Sequence, residues 1–146
     1  MIALIQRVLS ARVEVDAETV GAIGPGLLAL VAVQPDDGEA QARRMLERLL
    51  GYRVFADDAG RMNRSLADTG GGLLLVSQFT LAADTRKGMR PGFAAAAPPA
   101  QARAWFERLV ERARAAHPVV ASGRFGAAMR VHLVNDGPVT FWLQAR

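Results

Sequence analysis

Two short stretches, far apart in the chain, hold the residue types best suited to chemistry. Ser77-Gln78-Phe79-Thr80-Leu81 places two hydroxyls, a carboxamide and an aromatic ring directly after the apolar run Leu73–Val76. Apolar residues passing abruptly into polar ones is the pattern of a buried strand that surfaces at a site. The second stretch, Asn135-Asp136-Gly137-Pro138-Val139-Thr140, joins two strand-like runs, Met129–Val134 and Val139–Leu143. Its turn-forming residues predict a tight hairpin. The alternative is a rigid backbone device in which Gly137, having no side chain, lets a ligand approach its carbonyl. Pro138 stands at a strand mouth, where its missing N–H costs least. A Gly-Pro bond is also able to be cis, because the tertiary amide reduces the trans preference to about 0.5–1 kcal/mol.

Other catalytic arrangements are absent. The chain has no G-x-S-x-G elbow, no H-E-x-x-H and no Gly-rich phosphate loop followed by lysine. With no cysteine, thiolate catalysis, disulfides and cysteine-ligated zinc are excluded. Of the two histidines, His117 ends a helical pattern, where a capping role is expected. His132 alternates with Val131 and Leu133 and belongs on a sheet face. The carboxylates show no paired spacing for acid–base work, and no residue set suggests a metal or cofactor.

The elements that must position these residues follow from periodicity. Ile2–Val8 and Ala11–Val15 alternate as half-buried strands, Thr19–Ile23 is a short strand, and the apolar run Leu27–Val33 is a central one. The opening therefore predicts an antiparallel meander. Asp36 as N-cap, with Glu39 three residues on, starts a helix whose apolar stripe is Ala42, Met45, Leu46, Leu49 and Leu50, stopped by Gly51. Tyr52–Phe55 reads as a strand, Asp57–Gly60 as a turn, and Arg61–Asp68 has no clear period. Ala82–Ala97 is a loop carrying Arg86, Lys87 and Arg90, the densest basic patch beside a candidate site. Pro98-Pro99 opens a second helix, with Trp105, Phe106, Leu109 and Val110 on its core face.

At 146 residues, 51% hydrophobic and 22% charged, the chain predicts one globular domain spanning residues 1–146. It shows no signal-length or membrane-length apolar run, so a cytoplasmic location is expected. The net charge is +4, and Lys87 is the single lysine among 18 basic residues. Arginine suits phosphate recognition, but a general preference for Arg over Lys produces the same count.

The two stretches together resemble the paired signature of the D-aminoacyl-tRNA (D-tyrosyl-tRNA) deacylases. The similarity continues through Gln6-Arg7-Val8, Gly26-Leu27-Leu28, Leu50-Gly51-Tyr52-Arg53, Met62-Asn63, Gly88-Met89-Arg90-Pro91 and Gly123–Met129. One departure is Gly92, where the family pattern Gly-x-Arg-Pro-Ser-Phe has serine. The resemblance implies an α+β fold: a compact, barrel-like, mostly antiparallel sheet with two covering helices. It also implies a homodimer in which Gly137 and cis-Pro138 of one subunit enter the other's pocket, lined by Ser77, Gln78, Phe79 and Thr80. The implied reaction is hydrolysis of the ester joining a D-amino acid to the 3′-terminal ribose of tRNA, without metal or cofactor. Backbone N–H groups at Phe79 and Thr80 would hold the oxyanion; the Thr80 hydroxyl as nucleophile and assistance from the substrate 2′-OH are alternatives. The Gly-Pro step, braced by Arg7, would exclude L-amino acids and pass glycine, making glycyl-tRNA mischarged on tRNA-Ala a further substrate. Arg86, Lys87, Arg90, Phe125 and Met129 are the tRNA-contact candidates. A tRNA-end binding module that has lost hydrolysis is the competing reading.

Overall fold

A computed structural model describes residues 1–146. The sheet is organised on β1 (Ile2–Val15), which merges the two expected opening strands into one. Near its start, Ile2 has Ala32 and Gln144 as partners, and further along Ala11 has Ile23 and Leu133. Thus β2 (Glu18–Ile23) and β3 (Gly26–Ala32) share one edge of β1 in turn, while β8 (Arg130–Gln144) runs along the other. The expected meander is therefore corrected: β3 pairs with β1, not with β2. Alternation identifies strands but carries no information about their partners.

The remaining strands of this sheet are parallel to β3. β6 (Gly72–Ser77) pairs with β3, and β7 (Val120–Ser122) pairs with β6. β2 packs back towards β7, closely enough that a side chain on Gly21 would collide with the Ser122 carbonyl. The result is a nearly closed, barrel-like sheet, as expected, but mixed: its antiparallel pairings all involve β1.

The helices are α1 (Glu39–Gly51), a single turn α2 (Leu66–Thr69) and α3 (Pro99–Ala116), so a third, minor helix joins the two expected. Asp36 is not the cap of α1. Gly38 holds that place, its N–H donating to Gln41 Oε1 at 3.0 Å, while buried Asp37 accepts the Gln34 N–H and the Met1 ammonium. Gly51 is the last helical residue, and the helix ends because Tyr52 turns extended. The expected strand at Tyr52–Phe55 reduces to β4 (Phe55–Ala56), paired with β5 (Met62–Arg64) inside the stretch that had no clear period. No helix is long and apolar enough to cross a membrane.

The core has two sides. Met45, Leu49, Phe106 and Leu109 from α1 and α3 pack on Ile5, Leu27, Leu73 and Leu75. Leu28, Leu74 and Val76 point the other way, against Val8 and Val13. β3 and β6 are apolar throughout because both of their faces are covered. Trp105 is only partly buried, at the margin of the helix-side cluster.

The closing hairpin is the main correction. β8 does not reverse: Thr140–Gln144 pairs with Ile2–Gln6 and Arg130–Asn135 with Val8–Glu14, all antiparallel to the same strand. Residues 136–139 bulge out of the ladder, which shifts in register there. Turn chemistry measures a local bend, and here the bend is spent on a bulge rather than on a reversal.

Candidate active site

β6 is buried from Gly72 to Val76 and surfaces at Ser77. Its pairing with β3 ends where the Gln78 N–H donates to Val31 O at 2.7 Å. The chain then leaves the sheet and coils into a 3-10 turn, Phe79–Ala82. The first bond of that turn runs from Leu81 N–H to Gln78 O, 3.2 Å. The N–H groups of Phe79 and Thr80 precede it and have no acceptor within the turn. Gln78 Nε2 donates to Thr80 Oγ1 at 2.5 Å, which leaves the hydroxyl proton to point away from Gln78. The Phe79 ring is half exposed and lies tilted against Phe93, with centroids 5.1 Å apart.

Ser77 and Phe79 join Ala97, Pro99, Ala102, Phe125 and Gly126 around a pocket of about 260 Å³. Its walls are mostly apolar, with the Ser77 hydroxyl among them. Gln78 and Thr80 stand beside this pocket and are not part of its wall. Phe125 is part of it, packed on Phe106 and covered by the Arg103 guanidinium 5.0 Å from the ring centre. Met129 is not: it packs against the cluster of Val13 and Val76, its sulfur crowding Gly123. The contribution of Ala97, Pro99 and Ala102 was not legible, because small residues at a helix start carry no chemical signal.

The Gly137–Pro138 bond is cis, and Gly137 has φ 140°, a backbone that favours glycine. Both residues are exposed on the bulge, and neither lines the pocket of its own chain. Arg7 braces the bulge from β1. Its Nε donates to Asp136 O at 3.1 Å and lies 3.3 Å from the Asp136 carboxylate, while Nη1 donates to Val54 O at 2.7 Å. Asn135 closes the base of the bulge: Nδ2 donates to Arg7 O and Val139 O, and Oδ1 accepts the Val139 N–H. Turn propensity alone accounts for Asn135 in the sequence, which hides this cross-strand clamp.

The basic loop divides. Arg86 is held by Asp84 through Nε at 2.9 Å and Nη2 at 2.7 Å. Those bonds hold the Asp84 carboxyl well below the usual carboxylate range and raise the already high pKa of Arg86. Lys87 and Arg90 are exposed and, with Asp84, Arg86 and Gly92, rim a separate pocket. The histidines serve the fold. His117 is buried, its Nε2 2.6 Å from Gly71 O, tying the end of α3 to the entry of β6. His132 lies 3.2 Å from Glu14, and hydrogen bonds from Arg12 and then His132 lower the Glu14 carboxyl.

The barrel-like mixed sheet is an architecture already known. A solved structure titled "c-Myc DNA Unwinding Element Binding Protein" superposes with a TM-score of 0.96 at 37% identity, covering 100% of this chain and 99% of that one. Another, titled "Structural Analysis of a probable eukaryotic D-amino acid tRNA deacylase", shares the fold at a TM-score of 0.84 and 18% identity, covering 97% of each. The family profile described as D-Tyr-tRNA(Tyr) deacylase matches residues 4–144. Proteins named D-aminoacyl-tRNA deacylase are 68% identical in Ectopseudomonas mendocina (strain ymp), over 97% of both chains, and 70% identical in Stenotrophomonas maltophilia (strain K279a), over 99% of both. The chain belongs to the D-Tyr-tRNA(Tyr) deacylase family.

Proposed function

We propose that the chain hydrolyses the ester between a D-amino acid and the 3′-terminal ribose of tRNA, releasing both. The observation that carries this reading is the end of β6, where the Phe79 and Thr80 N–H groups have no acceptor within the turn and Ser77 and Phe79 line an apolar pocket. An aminoacyl ester is already activated. The site has only to position a water, which attacks the carbonyl carbon, and to hold the oxyanion until the ribose oxygen leaves with a proton. Preoriented N–H donors contribute about 2.7–4 kcal/mol each to such a step. The Phe79 and Phe125 rings offer stacking surfaces for the terminal adenine. This substrate is made where translation runs, so the activity belongs to the cytoplasm.

Enantiomer selection comes from a second copy of the chain. Gly137 and Pro138 are exposed, project from the edge strand and are missing from their own pocket, which supports their insertion into a partner's. Exposed Leu9, Val134 and Trp142, on β1 and β8, are apolar groups that a partner would cover. In the composite site the Gly137 carbonyl accepts the substrate ammonium and the bulge occupies the space of an L side chain. Glycine has no side chain to clash, so glycyl-tRNA is accepted too. Lys87 and Arg90 meet tRNA phosphate.

Single-turnover hydrolysis of D- and L-tyrosyl-tRNA by the purified chain tests the reading. Rapid release of the D form alone is expected; release of neither, or of both equally, refutes it. Thr80→Ala distinguishes the chemistry: backbone donors predict substantial remaining rate, a threonine nucleophile near-complete loss.

A further inference from the structure

Phe125, in the wall of the pocket at the end of β6, has a second neighbouring cavity. The same residue lines a groove of about 350 Å³ between α3 and β7, with Arg103, Arg114 and Arg124 also in its lining. Arg103 stands at the junction, over the Phe125 ring and 3.5 Å from where a Gly126 side chain would begin. It is paired with Glu107 at 3.3 Å. Arg114 reaches only the Ser122 hydroxyl, at 3.5 Å, and neither it nor Arg124 is in an ion pair. Glu111 is the one other carboxylate in the groove.

We infer that this groove carries the phosphodiester backbone of the single-stranded 3′ end of tRNA, with Arg114 and Arg124 on its phosphates. The inference rests on the reading of the pocket as the site of the terminal aminoacyl-adenosine. A strand whose last nucleotide fills that pocket must leave it along some wall, and Phe125 is the wall shared with a basic channel. The pocket of the 84–92 loop shares no residue with the Ser77 pocket, and its Arg86 is already committed to Asp84. A basic channel beside an aromatic platform is how single strands are held without base reading. Guanidinium forks suit phosphate oxygens.

The test compares D-aminoacyl-tRNA with D-aminoacyl-adenosine, which lacks the preceding phosphates. Combined Arg114→Gln and Arg124→Gln should raise KM for the tRNA about tenfold more than for the adenosine ester. The slope of log KM against log salt for tRNA should fall by about 1.4, about 0.7 for each phosphate of a single strand. Glu111→Gln should move the tRNA KM the opposite way. Filter binding of uncharged tRNA by the same variants measures the groove without hydrolysis and should show the same order. Equal effects on both substrates, or none on tRNA binding, overturn the groove assignment. A wild-type chain that binds tRNA through these arginines yet cleaves neither ester would instead refute the hydrolytic reading and leave the groove standing.

Discussion

Gly137 joins a conformational requirement to a chemical one. At φ 140°, a Cβ built on it would lie 2.6 Å from Val139 Cγ2, 2.8 Å from Val139 N and 3.4 Å from Arg7 Nη2. Any side chain must displace the bulge that Asn135 and Arg7 hold. Because Gly137 itself is exposed, Gly137→Ala should still fold, losing about 1–3 kcal/mol. It should nonetheless lose most hydrolysis of D-aminoacyl-tRNA, since the carbonyl meant for the substrate ammonium moves with the backbone. Thermal unfolding and single-turnover rates on both enantiomers, measured together, separate these effects. A folded Gly137→Ala with the wild-type rate and selectivity would remove the bulge from the mechanism. Asn135 needs the same attention as a positioning residue, because its amide is what makes a bulge out of residues that read locally as a turn.

Between elements, backbone approach sets the geometry that delivers Ser77 and Thr80 to the surface. β3 and β6 touch at Gly26 and Gly72: a Cβ on Gly26 would lie 1.9 Å from Gly72 O, which no side-chain adjustment relieves. Gly26→Ala should therefore part the two strands at their entry and cost at least about 2 kcal/mol. Gly24→Ala, with nothing within 4 Å, should be nearly neutral. Denaturant midpoints of the two variants decide this, and equal midpoints would mean that the strand entry yields freely. The same pair shows what a sequence reveals. The apolar runs Leu27–Val33 and Leu73–Val76 are legible as central strands and the stripes of α1 and α3 as helices, because burial writes period and length into residue type. That Gly26 meets Gly72, that β3 returns to β1, and that Asn135 clamps a bulge are contacts between distant residues, to which local pattern is blind. Of the pocket wall, Ser77, Phe79 and Phe125 were legible through the signature, while Arg103 over Phe125 was hidden among the solvent-facing charges of a helix.

At the scale of the molecule, the two halves of the signature lie on opposite kinds of structure: a pocket behind α3 and an exposed bulge on β8. One chain does not bring them together, and a closed two-fold dimer would do so twice, with the same surface on both subunits. This makes a sharp prediction for mixed subunits. Gly137→Ala damages what a subunit donates; Ser77→Phe, which fills the pocket, damages what it receives. Each homodimer should be nearly inactive on D-aminoacyl-tRNA. In an equal mixture allowed to exchange subunits, half of the dimers should be heterodimers, each with one site made only of intact parts, so about a quarter of all sites recover. Activity should therefore rise from near zero to about a quarter of the wild-type rate, on the timescale of subunit exchange seen by native mass spectrometry. If heterodimers form and no activity returns, donor and pocket belong to the same chain, and selection by a partner's Gly-Pro bulge is wrong.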